Sequence, residues 1–288
     1  MLKSVLRTNN NLIKLFPKHN SNMAVGKSLT SILYELEKFA PTSLAEDWDN
    51  VGLLIEPYNK TCIKNILLTN DLTESVMEEA VSKNTDLIIS YHPPVFASLK
   101  RITQSNWKER IVARCLKESI AVYSPHTSWD SVSGGVNDWL ASALPGNNIK
   151  PIKPNPCQPD YGAGRIFDTN VTLEQAISCV RNHIGTDVHL SLGLEHNKAT
   201  TIKKVAVCAG SGASLLKGVE ADLYVTGEMS HHELLDANHK KTSVILCNHS
   251  NSERGFLQVF KEQFNKILNN ECEIFVSQKD KDPLITVK

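Results

Sequence analysis

The stretch Asp86-Leu-Ile-Ile-Ser-Tyr-His92 has the pattern of a short buried strand that ends in an imidazole. A second Asp-Leu pair opens a similar apolar run at residues 222–225. Short β-branched runs that alternate with helical patterns are typical of an α/β fold with largely parallel sheets. The predicted strands are Ile66–Leu68, Leu87–Ile89, Ile120–Tyr123, Val205–Val207, Leu223–Val225 and Val244–Leu246.

These strands divide into two halves with the same order of elements. Each half has strand, helix, strand, helix and strand, and each third strand is followed by a His-x-x-x-acid pattern: His126 to Asp130, and His249 to Glu253. We therefore predict an α/β fold with two similar lobes related by pseudo-two-fold symmetry and with mixed, mostly parallel sheets. Because open α/β sheets bind ligands at the carboxyl ends of their strands, a metal cleft is expected between the lobes.

The domain boundaries follow from composition. Proline and glycine are concentrated between the halves, which favours a Pro/Gly-rich linker at residues 147–164. The N-terminal lobe is then predicted at residues 26–146 and the C-terminal lobe at residues 165–288.

Residues 1–25 are compositionally separate from both lobes. No acidic residue occurs before Glu35, whereas basic residues are interleaved with apolar ones at helical spacing. This pattern predicts a basic N-terminal targeting segment of the mitochondrial kind, or a disordered tail. Met23 offers an alternative start, so the expected location is mitochondrial, cytoplasmic or both.

Composition excludes several classes of protein. The chain of 288 residues has 31 basic and 31 acidic side chains, so no positive excess is available for direct nucleic acid binding. No apolar run approaches the roughly 20 residues that span a bilayer, and no membrane association is expected. The seven cysteines are odd in number and form no Cys-x-x-Cys pair, which disfavours a zinc ribbon or a disulfide framework.

Imidazoles and carboxylates follow three of the predicted strands. They are His92, His126, Asp130, His249 and Glu253. Neutral imidazole and carboxylate are typical ligands of Zn, Mn, Fe or Co, and a carboxylate can bridge two ions. The sequence therefore predicts up to two divalent metal ions per chain. Two bridged ions can activate a shared water for hydrolysis.

Two further motifs follow strands of the second half. Glu228 and His232 could serve as a general acid/base pair or as partners of the metal ligands, or they could lie at a solvated helix start. The turn Gly210-Ser211-Gly212 could bind an anion through its backbone amides, although a plain tight turn is the alternative.

Six motifs occur in an order that resembles the Ngg-interacting-factor-three-like family, also labelled GTP cyclohydrolase I type 2 homologues. The eukaryotic branch is the most similar, and the resemblance covers about residues 28–288. The motifs are Trp48-Asp-Asn-Val-Gly-Leu53, Ser90-Tyr-His-Pro-Pro94, Ser124-Pro-His-Thr-Ser-Trp-Asp130, Gly134-Gly-Val-Asn-Asp-Trp-Leu140, Val225-Thr-Gly-Glu-Met-Ser-His-His232 and Asn248-His-Ser-Asn-Ser-Glu-Arg-Gly255.

The resemblance implies two α/β lobes, a dinuclear metal centre between them and a toroidal homo-hexamer. Its ligand pattern falls on His92, Asp130, His249 and Glu253. The family commonly has a His-His pair where this chain has Tyr91-His92. A phenolate can bind a metal, so Tyr91 could replace the missing imidazole, although its ordinary pKa near about 10 opposes this at neutral pH.

Three functions are compatible with these residues. The first is a metal-dependent hydrolase of a small, phosphorylated or nucleotide-like substrate, in which Glu228, His232 or His126 moves protons. The second is a metal-handling protein without turnover. The third is a transcription-related interaction factor with a protein partner and a structural metal. The site has more polar groups than a structural metal needs, which favours the hydrolase.

Overall fold

A computed structural model describes residues 25–285 and residue 287 of the chain. The predicted N-terminal segment, including Met23, lies outside the described residues except for Val25. The strands are β1 Lys27–Ser28, β2 Gly52–Ile55, β3 Cys62–Ile63, β4 Asn65–Thr69, β5 Leu87–Ser90, β6 Ala121–Ser124, β7 Asn147–Lys150, β8 Lys153–Pro154, β9 Gly162–Ala163, β10 Arg165–Thr172, β11 His189–Ser191, β12 Thr201–Cys208, β13 Leu223–Thr226, β14 Ser243–Leu246 and β15 Glu273–Val276.

Helices alternate with these strands. The α-helices are α1 Leu29–Phe39, α2 Glu74–Ser82, α3 Trp107–Lys117, α4 Thr127–Ser131, α5 Val136–Ala141, α6 Leu173–Ile184, α7 Ala213–Leu216, α8 His231–His239 and α9 Phe256–Ile267, and short 3₁₀ turns occupy Thr42–Leu44 and Ser250–Ser252. Their starts follow local sequence rules. Thr73 caps α2 by accepting from the Val76 amide, and Thr172 and Gln175 form a capping box at α6.

The first sheet has five strands in the order β15-β4-β5-β6-β2, parallel except for β2. The second sheet has six strands in the order β11-β14-β13-β12-β10-β7, with β12, β13 and β14 parallel. Both sheets therefore contain three consecutive parallel strands joined by helices. This arrangement confirms the predicted α/β fold with two similar lobes and mixed sheets.

Four strands lie differently from the predicted boundaries. Strand β15 belongs to the first sheet, where it runs parallel to β4, so residues 165–288 do not all fold into the second lobe. Strand β7, expected in the linker, pairs with β10 at the edge of the second sheet. Strands β8 and β9 pair with each other, so the Pro/Gly-rich segment is structured.

One continuous cluster of buried side chains joins the two sheets. It includes Ile66 and Ile89 of the first sheet, and Val207 and Ile245 of the second. Helix α9 contributes an aromatic face to this cluster, and its Phe260 ring packs 4.2 Å from the Trp129 ring. The lobes therefore share a core, which fixes the carboxyl ends of their strands relative to each other. Within the part of the chain that the structure describes, no helix has the length and apolarity needed to cross a membrane.

Candidate metal centre

Three side chains that follow strands of both lobes form a compact group. His92 follows β5, while His249 and Glu253 follow β14, and their ligand atoms lie within 4.8 Å of one another. The two oxygens of Glu253 face different imidazoles. Oε2 lies 3.5 Å from Nε2 of His92, and Oε1 lies 3.5 Å from Nε2 of His249. This group could hold a metal ion, with the carboxylate between the two imidazoles.

Each imidazole near this group is held by a carboxylate at its other nitrogen. Three Nδ1–carboxylate contacts of 2.9, 2.7 and 2.9 Å join His92 to Asp71, His126 to Asp49 and His249 to Glu228. A carboxylate at Nδ1 favours a proton there and leaves Nε2 as the acceptor, which is the usual support of a metal-binding histidine. His126 is held by Asp49 in the same way. Its ring lies near the group, with its centroid 5.4 Å from that of His92.

The charges of the group depend on one another. Burial opposes a charge on His92, but the carboxylates of Glu253 and Asp71 outweigh it and raise the pKa of His92 to about 10. Burial likewise opposes ionisation of Glu253, yet His92, His249 and the Asn70 amide lower the pKa of Glu253 below its ordinary value. A metal cation that binds at Nε2 must therefore displace the proton of His92.

Asp130 and Tyr91 lie in the same cleft and bind each other. The Tyr91 hydroxyl donates to Oδ1 of Asp130 over 2.7 Å. Burial, together with the nearby carboxylates, raises the pKa of Tyr91 well above its ordinary value, so the phenol keeps its proton. Burial also raises the pKa of Asp130 to about 6, although the Tyr91 hydrogen bond opposes this. The geometry makes Tyr91 a donor to Asp130, which argues against the phenolate ligand that the sequence left open.

The glycine turn after β12 lies directly against the group. A Cβ atom at Gly210 would stand 2.5 Å from Oε1 of Glu253 and 3.1 Å from Nε2 of His249, so only glycine fits this approach. The predicted anion site at Gly210, Ser211 and Gly212 loses two of its three amides. The Gly210 amide donates to Ser252 Oγ, and the Gly212 amide donates to Thr226 Oγ1.

Of the two residues predicted as an acid/base pair, Glu228 contacts the candidate metal centre and His232 is exposed to solvent. Glu228 contacts Nδ1 of His249, which is the partner role among the alternatives raised by the sequence. His232 is exposed on the first turn of α8, and it lines neither of the cavities that adjoin the described metal ligands. This placement argues against His232 as a catalytic residue.

Two cavities open onto the group. The larger, about 510 Å³, is lined by Tyr91, His126 and Asp130 together with His249 and Glu253. The smaller, about 370 Å³, is lined by His92 and His249 together with C-terminal residues. The group is thus accessible from two directions, unlike a closed structural metal site.

Apart from Glu228, the sequence did not single out the residues that contact the imidazoles and the Glu253 carboxylate. Asp71 and Asn70 follow β4, and Asn70 Nδ2 donates to Glu253 Oε2 over 2.9 Å. Asp49 lies in the Trp48-Asp-Asn motif and also accepts from the Thr127 amide. The only available signal was position, because Asp71 follows a strand of the predicted parallel set.

Three observations show that these residues fit a divalent metal. The donor set combines imidazole nitrogens with a buried carboxylate, and each imidazole has a carboxylate behind it. Gly210 leaves a space that a side chain would fill. Oδ1 of Asn70 is buried beside the group without a hydrogen-bond partner among the described residues.

Fold and site together define a class of protein: two α/β lobes with a candidate metal centre where their strand ends meet. Residues 27–283 match the family model for Duf34/NIF3 (NGG1p interacting factor 3). The chain belongs to this family, as the sequence motifs indicated.

Relatives and solved structures agree with this assignment. The chain is 57% identical to NIF3-like protein 1 of Drosophila melanogaster, covering 92% of this chain and 91% of the relative. It is 38% identical to NGG1-interacting factor 3 of Saccharomyces cerevisiae, covering 89% and 96%. The crystal structure of a Bacillus cereus protein related to NIF3 superposes with a TM-score of 0.80 at 22% identity, covering 90% and 98%, which supports the fold.

Proposed function

We propose that the chain is a metal-dependent hydrolase of a small, phosphorylated or nucleotide-like substrate. The observation that carries this proposal is Glu253, whose two oxygens face the Nε2 atoms of two separately supported imidazoles. His92, His249 and Glu253 would hold a divalent ion, with Asp130 in the same cavity as a further ligand for a second ion. A bound ion would polarise the substrate and lower the pKa of a water molecule.

The protein's own contribution to the reaction would be proton movement by a histidine that is held in place. His126 lines the larger cavity and has Nδ1 fixed by Asp49. Its Nε2 has no hydrogen-bond partner among the described residues and could exchange a proton with a bound substrate. Its backbone φ of 35° is unfavourable for a residue with a side chain, and such strain is concentrated at functional sites. We assign the general acid/base role to His126, with Glu228 orienting His249.

The larger cavity also favours a ring-bearing substrate. Its volume of about 510 Å³ is in the range of small-molecule sites. Trp48 lines this cavity while 61% exposed, and its ring lies 6.0 Å from the ring of His126. An exposed indole beside the site offers a stacking surface for a base, which supports the nucleotide-like class.

The test combines metal content with hydrolysis. Elemental mass spectrometry of protein purified without chelators should show bound metal that is lost in Glu253→Ala. His126→Gln should keep that metal but lose hydrolysis of nucleotides and phosphoesters by about 100-fold or more. His239→Gln is the control, because His239 is exposed on α8 and, among the described residues, its ring contacts only the Leu235 carbonyl of the same helix. Equal activity in His126→Gln and native protein would overturn the assigned role, and a metal-free native protein would overturn the hydrolase.

The printed name of the yeast relative supports a second candidate. That protein is named for interaction with NGG1, and we propose a transcription-related protein partner as the alternative function. In this case the metal would be structural. A His249→Ala variant that loses metal and retains the partner would favour the interaction protein, whereas loss of hydrolysis alone would favour the enzyme.

Assembly and location complete the proposal. We propose a homo-hexamer, as the family resemblance implies, to be tested by light scattering of the purified chain. We also propose a mitochondrial location directed by residues 1–25, with a cytoplasmic form that starts at Met23. Imaging the full chain beside a chain that begins at Met23 tests the location.

A further inference from the structure

The C-terminal tail, residues 277–284, lies beside the candidate metal centre. Strand β15 runs parallel to β4, so both strands end at the edge of the sheet that carries Asn70 and Asp71. The Ser277 amide continues this pairing by donating to the Leu68 carbonyl over 2.8 Å. Residues Asp282 and Leu284 then line the smaller cavity together with His92 and His249.

Asp280 is the buried centre of this tail. Its side chain is 1% exposed. Oδ2 accepts from the backbone amide of Asn70 over 2.6 Å and lies 3.3 Å from Nε of Arg254. Oδ1 accepts from Nη2 of Arg254 over 3.4 Å. The carboxylate thus joins the end of β4 in the first lobe to the turn after β14 in the second lobe.

Both partners of Asp280 adjoin Glu253. Asn70 donates its Nδ2 to Oε2 of Glu253, and Arg254 is the next residue in the chain. Arg254 also donates to Ser250 Oγ over 2.8 Å, and Ser250 donates to Asp282 over 2.9 Å. The tail therefore holds the turn that carries His249 and Glu253 at two points.

We propose that Asp280 is a positioning residue that fixes the Glu253 carboxylate for metal binding. This inference rests on the proposed metal centre and extends it to a segment far along the chain. Loss of the Asp280 charge would weaken the hydrogen bond from the Asn70 amide, because a neutral acceptor binds an N–H less strongly than a carboxylate. Asn70 would then be held less firmly, and its side chain orients Oε2 of Glu253. Loss of the charge would also leave the Arg254 cation without its carboxylate beside a site that must accept another cation.

The test measures cobalt binding to the full chain. Asp280→Asn keeps the side-chain shape and removes the charge. We expect it to weaken Co²⁺ binding by about tenfold or more, measured by competition with a chelator, and to alter the visible absorption of bound Co²⁺. The spectrum reports ligand geometry directly, which a general loss of stability would not change.

Asp86→Asn is the matched control. Asp86 accepts from the Lys64 and Asn65 amides over 2.8 and 3.0 Å and pairs with Lys60 over 2.6 Å. It resembles Asp280 in its contacts, but it precedes β5 and so lies at the opposite edge of the sheet. This variant should lose stability while it retains native cobalt affinity and spectrum.

If Asp280→Asn binds Co²⁺ with native affinity and gives the native spectrum, the positioning role of Asp280 is wrong, but the metal centre is unaffected. Failure of the native protein to bind Co²⁺ would overturn the metal centre itself. If Asp280→Asn does not fold, Arg254→Lys replaces it, because lysine keeps the charge but loses the paired contacts to Asp280 and Ser250. Weaker Co²⁺ binding in Arg254→Lys supports the positioning role, and native binding overturns it.

Discussion

At the residue scale, the two candidate imidazole ligands were predictable because each follows the end of a strand within three residues. His92 comes two residues after β5, and His249 three residues after β14. Their supporting carboxylates were not predictable in the same way. Asp71 lies 21 residues from His92, and Asp49 lies 77 residues from His126. Periodicity assigns a side chain to a strand end but does not indicate which loop of another strand will contact it.

Gly210 gives the sharpest test of the site at this scale. Gly210→Ala would place a Cβ against Glu253 and His249, so we expect loss of most bound metal. Gly218→Ala is the matched control, because Gly218 also has a positive φ, of +84°, but no atom of the described residues beyond its chain neighbours lies within 4 Å of its Cβ position. Both variants should lose roughly 1–2 kcal/mol of stability, because a residue with a Cβ atom is strained in the left-handed region. Elemental mass spectrometry should find native metal in Gly218→Ala only.

Trp48 tests the proposed class of substrate. Trp48→Ala should raise KM for nucleotide-like substrates by about tenfold, since stacking of a base on an aromatic ring contributes about 1–3 kcal/mol. The value of kcat should change less, because the indole supplies neither a metal ligand nor a proton-transfer group in the proposed arrangement. Trp107→Ala is the control, since Trp107 is 42% exposed on α3 and is not among the residues that line the larger cavity. An unchanged KM in steady-state kinetics would argue against a stacked ring.

At the element scale, the sequence predicted which segments form strands but not which strands pair with each other. All six predicted strands are present, because short β-branched runs between turns indicate buried strands. Strand β15 instead pairs residues that lie far apart in the sequence, Glu273 with Asn65. Nothing local to Glu273–Val276 specifies that partner. The Pro-rich segment was likewise expected to be a plain linker, although its proline and glycine are tolerated in the edge pair β8 and β9.

Glu79 of α2 fixes the end of β15, which makes this pairing testable. Its buried carboxylate accepts from Ser277 Oγ over 2.6 Å and from the Gln278 and Lys279 amides over 3.1 and 3.2 Å. Burial opposes the charge, but these donors lower the pKa of Glu79 below its ordinary value. Glu79→Gln should therefore lower the free energy of unfolding by about 2 kcal/mol at neutral pH.

The pH dependence of this loss has a defined sign. A lowered carboxyl pKa stabilises the fold above the unfolded value of 4.5, and this stabilisation disappears as pH falls through the folded value. We expect the difference in free energy of unfolding between native and Glu79→Gln protein, measured by urea denaturation, to become smaller below pH 4.5. Glu78→Gln is the control, since the Glu78 side chain is 68% exposed and its ion pair with Arg114 lies on the surface. A difference that widens in acid would contradict the assigned role of Glu79.

At the scale of the whole molecule, the two similar lobes could be predicted from the sequence, because both halves have the same order of strands and helices. The shared core between the sheets could not, since residues such as Ile89 and Val207 meet only after both lobes have folded. The candidate metal centre likewise forms only after both lobes have folded. His92 comes from the first lobe, while His249 and Glu253 come from the second.

A bound metal should therefore stabilise the lobes together. An ion at a concentration about 1,000 times its Kd would raise the free energy of unfolding by about 4 kcal/mol, provided that the unfolded chain does not bind it. Thermal unfolding with Zn²⁺ or Co²⁺ should show one transition at a higher Tm, and a chelator should reverse the shift. His92→Ala removes the only ligand of the described three that the first lobe supplies, so the shift should be largely lost. His239→Ala should retain it, and an equal shift in His92→Ala would mean that the ion binds elsewhere.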